Sequence, residues 1–277
     1  MTTQSVRAET STLVTVASGA ALDEVHAAFE VLVRTSGVRP IIVRLGNHPA
    51  PQRTDWHHAA VIDGIVPRYL NNAVASLRLS SLPAIGWWRE PSTEGLLELA
   101  DLVDRLILDV RDPKTVWTLV PQLSKRTAVS DLRWAGLTRW RDLFAQFFDL
   151  PEVRDRAESL SDLTITAGDR HAARLLAGWI VSRLPGGARL NVAITDEGSG
   201  APLRGLEVTG RDLTLSLQLL PNDVCLRTVV DIPQTAAASR VVSAGDGSLA
   251  ALMNEELRVR SRDLAFEDAV AAAGGIE

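Results

Sequence analysis

Leu82-Pro83-Ala84-Ile85-Gly86-Trp87-Trp88 reads as an apolar strand, and the alternation it belongs to decides the fold. Before it, Ser11 to Ala17 reads as a strand. A helix follows from Leu22, because Leu22, Val25, Phe29, Leu32 and Val33 recur at helical spacing. Gly37 ends that helix, and Pro40-Ile41-Ile42-Val43 forms a second buried strand. Gly46 to Arg53 reads as a loop, and the stretch from Trp56 to Leu79 ends in a helix. After Trp88, a helix over Glu94 to Ala100 and a strand over Arg105 to Val110 continue the pattern. Alternating strands and helices imply a mostly parallel sheet covered on both faces.

The helix from Arg139 to Asp149 has the clearest amphipathic signal. Trp140, Leu143, Phe144, Phe147 and Phe148 form one apolar stripe, with Thr138 typed as N-cap and Pro151 beyond its end. Pro151 to Leu160 is densely charged and marks a boundary. Past it, Leu163 to Thr166 reads as a strand and Asp169 to Leu184 as a helix whose small residues suit close packing against a sheet. Leu213, Leu215, Leu217 and Leu219 alternate with polar residues, and turns on either side make two hairpins of three strands. Two helices follow, Leu249 to Val259 and Leu264 to Ala273. The expected fold class is α/β: an N-terminal α/β/α domain with a mostly parallel sheet, then a smaller α+β domain with antiparallel hairpins. The expected boundaries are a polar leader over 1–10, the α/β domain over 11–155 and the α+β domain over 156–277.

Composition narrows the function. The 277 residues carry 34 acidic and 29 basic side chains, net -5, which argues against nucleic acid as the main partner. No apolar stretch reaches the roughly 20 residues a membrane span needs, and the polar first residues are not a signal peptide, so a cytoplasmic location is expected. Cys225 is the single cysteine, which excludes an internal disulfide.

No catalytic set emerges. His57-His58 with Asp63 lacks a third ligand at a telling spacing, so no metal is expected. Gly198-Ser199-Gly200 lacks the strand and helix of a nucleophile elbow and reads as a hairpin loop. Asp101, Asp104 and Asp109 are better explained as solvated charges than as acid/base pairs. Neither a P-loop nor a dinucleotide glycine pattern follows any strand, and no cofactor is expected.

Five of the seven tryptophans fall between Trp87 and Trp140. Indole rings concentrate where large area is buried with one donor satisfied, and Trp and Arg dominate interface hot spots. Strand neighbours point to opposite faces, so of Trp87 and Trp88 one covers the core while the other lies against a helix or at an edge that meets a partner. Trp87, Trp88, Arg89, Arg133, Trp134, Arg139 and Arg141 are the expected partner-binding residues.

At these residues the chain resembles the glucose-6-phosphate dehydrogenase assembly protein family, often called OpcA. The resemblance is carried by Leu82 to Trp88, by Asp131-Leu132-Arg133-Trp134 with Leu137-Thr138-Arg139-Trp140-Arg141 and Phe148-Asp149, and by Leu175-Leu176-Ala177-Gly178-Trp179 with Ser182-Arg183-Leu184. Leu249 to Leu257 and Ala265 to Ala269 extend it. It implies a non-catalytic partner that binds glucose-6-phosphate dehydrogenase, promotes its active oligomer or conformation, and supports NADPH supply. The redox control implied for photosynthetic members rests on cysteines, which Cys225 alone cannot supply as an internal switch. The rival expectation is a sugar-phosphate or nucleotide site at the C-terminal edge of the first sheet, built from loops after Val16, Leu45 and Trp88.

Overall fold

The computed structural model describes residues 8–19, 21–47, 52–56, 59–198 and 200–276. His57, His58 and Ser199 lie outside the described residues. The chain divides into two compact units, Met1–Ala135 with Gly247–Asp263, and Gly136–Asp246 with Leu264–Glu277.

The first unit is built on seven strands: β1 (Ser11–Val16), β2 (Val38–Leu45), β3 (Gln52–Trp56), β4 (Ala59–Ile65), β5 (Ala84–Trp88), β6 (Arg105–Leu108) and β7 (Ala128–Asp131). Their order is β3-β4-β2-β1-β5-β6-β7. All pairs are parallel except β3 with β4. From β1 the chain winds outward through β2 to β4, then returns to β5 and winds the other way through β6 to β7. The direction therefore reverses between β1 and β5, the switch point of a doubly wound sheet.

Both faces of this sheet are covered, as its near-continuous apolar strands require. Trp87 joins Leu13, Ile42, Ile85 and Ile107 beneath the helix Ala21–Ser36, with Phe29 edge-on to its ring at 6.3 Å. Gly37, at φ 63, ends that helix in the left-handed region where glycine carries no Cβ penalty. The helix Leu249–Glu256 lays Met253 into the same core. Trp88 points to the opposite face, and both indoles are fully buried. Neither tryptophan is left on an outer strand, because β5 lies inside the sheet between β1 and β6.

The second unit carries β8 (Leu160–Ala167), β9 (Asn191–Asp196), β10 (Gly205–Gly210), β11 (Thr214–Leu219), β12 (Cys225–Asp231) and β13 (Ala238–Ser243). Their order is β13-β12-β11-β10-β8-β9, antiparallel except for β8 with β9. Leu215 and Leu217 are fully buried while Gln218 is exposed, so the alternating pattern sets the inner face. The helices Thr138–Phe147, Arg170–Arg183 and Leu264–Ala273 complete this unit. Phe144 meets Trp179 edge-on at 5.9 Å, which explains why the apolar stripe of the 138–147 helix belongs here and not with residues 11–135.

Several local readings change. The division of the chain departs from the expected 155/156 boundary, because the 138–147 helix joins the second unit and the 249–256 helix returns to the first. Thr138 is not the N-cap of its helix. Leu137 holds that place in helical conformation (φ -89, ψ -7) with no side-chain cap, since the short helix Leu132–Gly136 runs almost directly into the next. Thr138 Oγ1 instead accepts from Arg141 Nη2 at 3.1 Å. Asp169, in contrast, does cap its helix, accepting from the His171 and Ala172 amides. The small residues of that helix serve mainly a neighbouring helix: a Cβ on Gly178 would lie 2.3 Å from the Ala269 carbonyl oxygen.

Candidate functional site

The C-terminal edge of the first sheet holds Arg89 of the expected residues, with Arg133 nearby. Arg89 follows β5 directly, held by its amide donating to the Val16 carbonyl at 2.9 Å. Its guanidinium pairs with Glu24 at 2.7 Å and with Asp109, just beyond β6, at 2.9 Å. It also lies over the Trp87 ring, 5.3 Å from the centroid. Trp87 Nε1 donates to Asp109 at 3.1 Å, so one carboxylate serves both a guanidinium and an indole. On the next residue, Glu90 Oε2 accepts from Ser18 Oγ at 3.1 Å. Glu90 is 7% exposed, and its Oε1 finds no hydrogen-bond partner among the described residues.

One strand further along, Asp131 closes β7 at 0% exposure. It accepts from Trp117 Nε1 at 2.9 Å and from the Arg133 amide at 2.9 Å. Arg133 reaches back to the Val110 and Arg111 carbonyls at 2.9 and 3.0 Å. Trp134 Nε1 donates to Asp263 at 2.7 Å. Every one of these indoles thus has its donor matched inside the unit, usually to a carboxylate at a strand end. The tryptophan enrichment is a burial signal before it is a docking signal.

Burial pushes the Asp109 carboxyl up to about 6 against the pull of Arg89, and Asp131 adds to the rise. A folded pKa above the ordinary 3.8 means that the native state holds the proton more tightly. This group's contribution is therefore fully present below about pH 4 and is lost as pH rises through about 6. Asp109→Asn removes the titration. The stability of the natural chain relative to this variant is expected to fall by about 1–2 kcal/mol between pH 4 and pH 7, measured by urea unfolding. A difference independent of pH would contradict the assignment.

A doubly wound sheet implies a dinucleotide at this switch point, received by a glycine-rich turn and a helix amino end. The residues present do not fit one. In sequence β1 is followed by Ala17-Ser18-Gly19-Ala20-Ala21, with one glycine, and the first helical turn carries Asp23 and Glu24. Glu90 lies buried at the mouth, and Arg89 is already matched to two carboxylates. A pyrophosphate would meet like charge here, with the nearby guanidinium already committed. The rival expectation of a sugar-phosphate or nucleotide site meets the same objection.

The remaining expected residues lie in the second unit. Arg139 Nε donates to the Ser243 carbonyl at 3.1 Å, placing it beside the end of β13, and Arg141 is anchored on Thr138. The structure thus brings Trp87, Trp88 and Arg89 together at one edge and Arg133 and Trp134 beside it, while Arg139 and Arg141 belong to the other unit. Sequence reasoning missed Ser18, Glu24, Glu90 and Asp131. Only Glu90 carries a local signal, as a charged residue just past the wholly apolar β5; Ser18 follows a strand of mixed composition, Glu24 sits in the first turn of a helix, and Asp131 ends the short β7. The other candidate carboxylates are structural: Asp101 pairs with Arg126, and Asp104 accepts from the Ala84 amide at 2.8 Å. Among the described residues, no group of three or more His, Cys, Asp or Glu could hold a metal ion, and no helix is long and apolar enough to cross a membrane.

Residues 127–270 match the family model described as the C-terminal domain of the glucose-6-phosphate dehydrogenase subunit, of OpcA type. The chain is also similar to two cyanobacterial proteins designated OxPP cycle protein OpcA. With that of Synechocystis sp. it shares 32% identity over 124 residues, 42% of this chain and 26% of the relative. With that of Synechococcus elongatus the figures are 35% over 120 residues, 40% and 27%. The matches therefore span 26% and 27% of the relatives' own length. Among solved structures, one described as an NADPH-dependent oxidoreductase from Desulfitobacterium hafniense superposes with a TM-score of 0.53 at 8% identity, covering 96% of this chain and 93% of the other. The aldose-aldose oxidoreductase of Caulobacter crescentus gives 0.51 at 9% identity, covering 96% and 94%. At such identities the likeness shows the fold alone.

Proposed function

The chain belongs to the OpcA-type family named for the C-terminal domain of the glucose-6-phosphate dehydrogenase subunit, and from that premise we propose that it is a non-catalytic assembly factor that binds glucose-6-phosphate dehydrogenase. It promotes the active oligomer or conformation of that enzyme, acts in the cytoplasm, and so supports the oxidative pentose phosphate pathway and its NADPH supply. The observation that carries the non-catalytic part is the switch-point crevice itself. Where the fold offers a cofactor site, this chain places Glu90 and the Glu24–Arg89–Asp109 pairs.

An activator of this kind works by binding one state of its partner more tightly than the other, and the shift cannot exceed that difference. A tenfold change in substrate affinity needs about 1.4 kcal/mol of coupling, within reach of one or two anchored side chains. Of the expected partner-binding set, Arg139 and Arg141 are the proposed contacts. Arg89 and Arg133 are engaged within their own unit, where Trp87, Trp88 and Trp134 are buried.

Titrating the purified chain into the dehydrogenase of the same organism is expected to raise activity or lower the apparent KM for glucose 6-phosphate, with co-elution on size exclusion. Unchanged kinetics together with separate elution would refute the reading.

A further inference from the structure

β13 is the last strand of its sheet, paired among the described residues with β12 alone. Ala238 to Val241 and Ser243 are exposed, and Val241 is 51% exposed. The register determines which of its peptide groups are unused. The Ala244 amide donates to the Val224 carbonyl, so the even-numbered residues of β13 face β12 and the odd-numbered ones face outward. Ser239 and Val241 therefore present both N–H and C=O to the open side. The Ser243 carbonyl, also outward, accepts from Arg139, which agrees with that direction.

Natural edge strands are blunted by proline, lysine, bulges or covering loops. Ala238-Ser239-Arg240-Val241-Val242-Ser243 has no proline or lysine, and its register with β12 is unbroken. Beside it lies a groove of about 330 Å³ between β12, β13 and the 138–147 helix. Leu143, Phe147, Leu150 and Val230 supply its apolar lining, Asp149 adds one carboxylate, and Arg240 lines it from β13, bonded to Gln146 at 2.7 Å. Arg139 guards one end of the edge, and Arg227, opposite Val241, is exposed on the outer face.

We propose that β13 is the docking edge for the dehydrogenase, which adds an extended segment as a further strand of this sheet, an inference that rests on the assembly-factor reading above. Main-chain hydrogen bonds to Ser239 and Val241 hold the incoming strand. Its alternate side chains drop an apolar group into the groove and set carboxylates against Arg139, Arg240 and Arg227. That charge pattern selects the occupant. A second copy of this chain would bring the same guanidiniums face to face, a like-charge arrangement that opposes pairing. An acidic and apolar strand from another protein is complementary.

The test measures affinity of the full chain for the dehydrogenase at low and moderate salt, beside thermal melting. Val241→Pro removes an outward N–H and places a ring in the path of the incoming strand, yet breaks no bond to β12. It is expected to weaken binding at least tenfold while melting close to the natural chain. Arg240→Glu, an exposed substitution, is expected to weaken binding several-fold and flatten its salt dependence, and it decides the matter should the proline variant fail to fold. Natural affinity in both folded variants overturns the docking edge while leaving the assembly role intact. No binding by the natural chain overturns the assembly role, and this edge with it. A self-dimer abolished by Val241→Pro, with dehydrogenase binding unaffected, overturns the proposal in favour of a second copy.

Discussion

Glu256→Ala is expected to lower the unfolding free energy by about 3–5 kcal/mol, a large effect for a single truncation. Glu256 and Arg105 are 3% and 2% exposed, and their side chains meet through Arg105 Nε and Nη2 at 3.2 and 2.5 Å. Ser130 Oγ completes the carboxylate at 2.9 Å, and Arg105 Nη1 reaches the Ser261 carbonyl at 3.2 Å. Burial pushes the Glu256 carboxyl up, while Arg105 and Ser130 pull it down. Truncating it leaves a guanidinium in the core with its main partner gone, which is why one-sided removal costs so much. Joint replacement, Arg105→Met with Glu256→Leu, takes both charges out and is expected to recover most of the loss. Guanidinium unfolding at pH 7 distinguishes the cases. A loss under about 1 kcal/mol for Glu256→Ala would mean that water reaches this pair.

Gly178→Ala is the second. Helix propensity alone predicts a gain of about 1 kcal/mol for this change. The neighbouring helix reverses the sign. The new Cβ would lie 2.3 Å from the Ala269 carbonyl oxygen and 2.8 Å from the Ala273 nitrogen. Both are backbone atoms, so no rotamer change relieves the contact, and the 264–273 helix must move outward as a body. Overpacking of this kind costs about 1–3 kcal/mol. The outward shift also strains Arg174, whose Nη2 donates to the Ala273 carbonyl at 2.9 Å. A melting temperature at or above that of the natural chain would contradict the close approach. The exposed neighbour Arg170→Ala, expected to stay within about 0.5 kcal/mol, serves as control.

Strands whose signal is local are legible in the sequence. β5 is an apolar run buried throughout, β2 has a buried Pro40–Val43 centre, β1 carries Leu13, Val14 and Val16 among hydroxyl residues, and β11 alternates cleanly. β7 is not legible. Its Ser130 and Asp131 look like loop residues, yet both are 0% exposed, because Glu256 and Trp117 supply partners 126 and 14 residues away. β3 escapes for the opposite reason: Gln52 to Asp55 are all exposed on an outer strand and carry no apolar period. The tryptophans read correctly as large area with one donor to satisfy. Their acceptors do not, since Trp134 finds Asp263 at a separation of 129 residues. Arg89 stands out for its company, but Glu24, 65 residues earlier, makes it part of a closed network. Long-range pairing of polar groups is the part of this fold that local pattern does not encode.

The return of residues 247–263 to the first unit has a consequence for synthesis. Domains ordinarily fold in turn as they leave the ribosome, the amino-terminal one first. Here Arg105 and the floor beneath Phe29 wait for Glu256 and Met253, so the nascent first unit stays unfinished until the segment carrying those two residues has emerged. Clipping between Ser243 and Leu249 would sever both units at once, and a fragment ending there would carry a lone buried cation in place of a closed core.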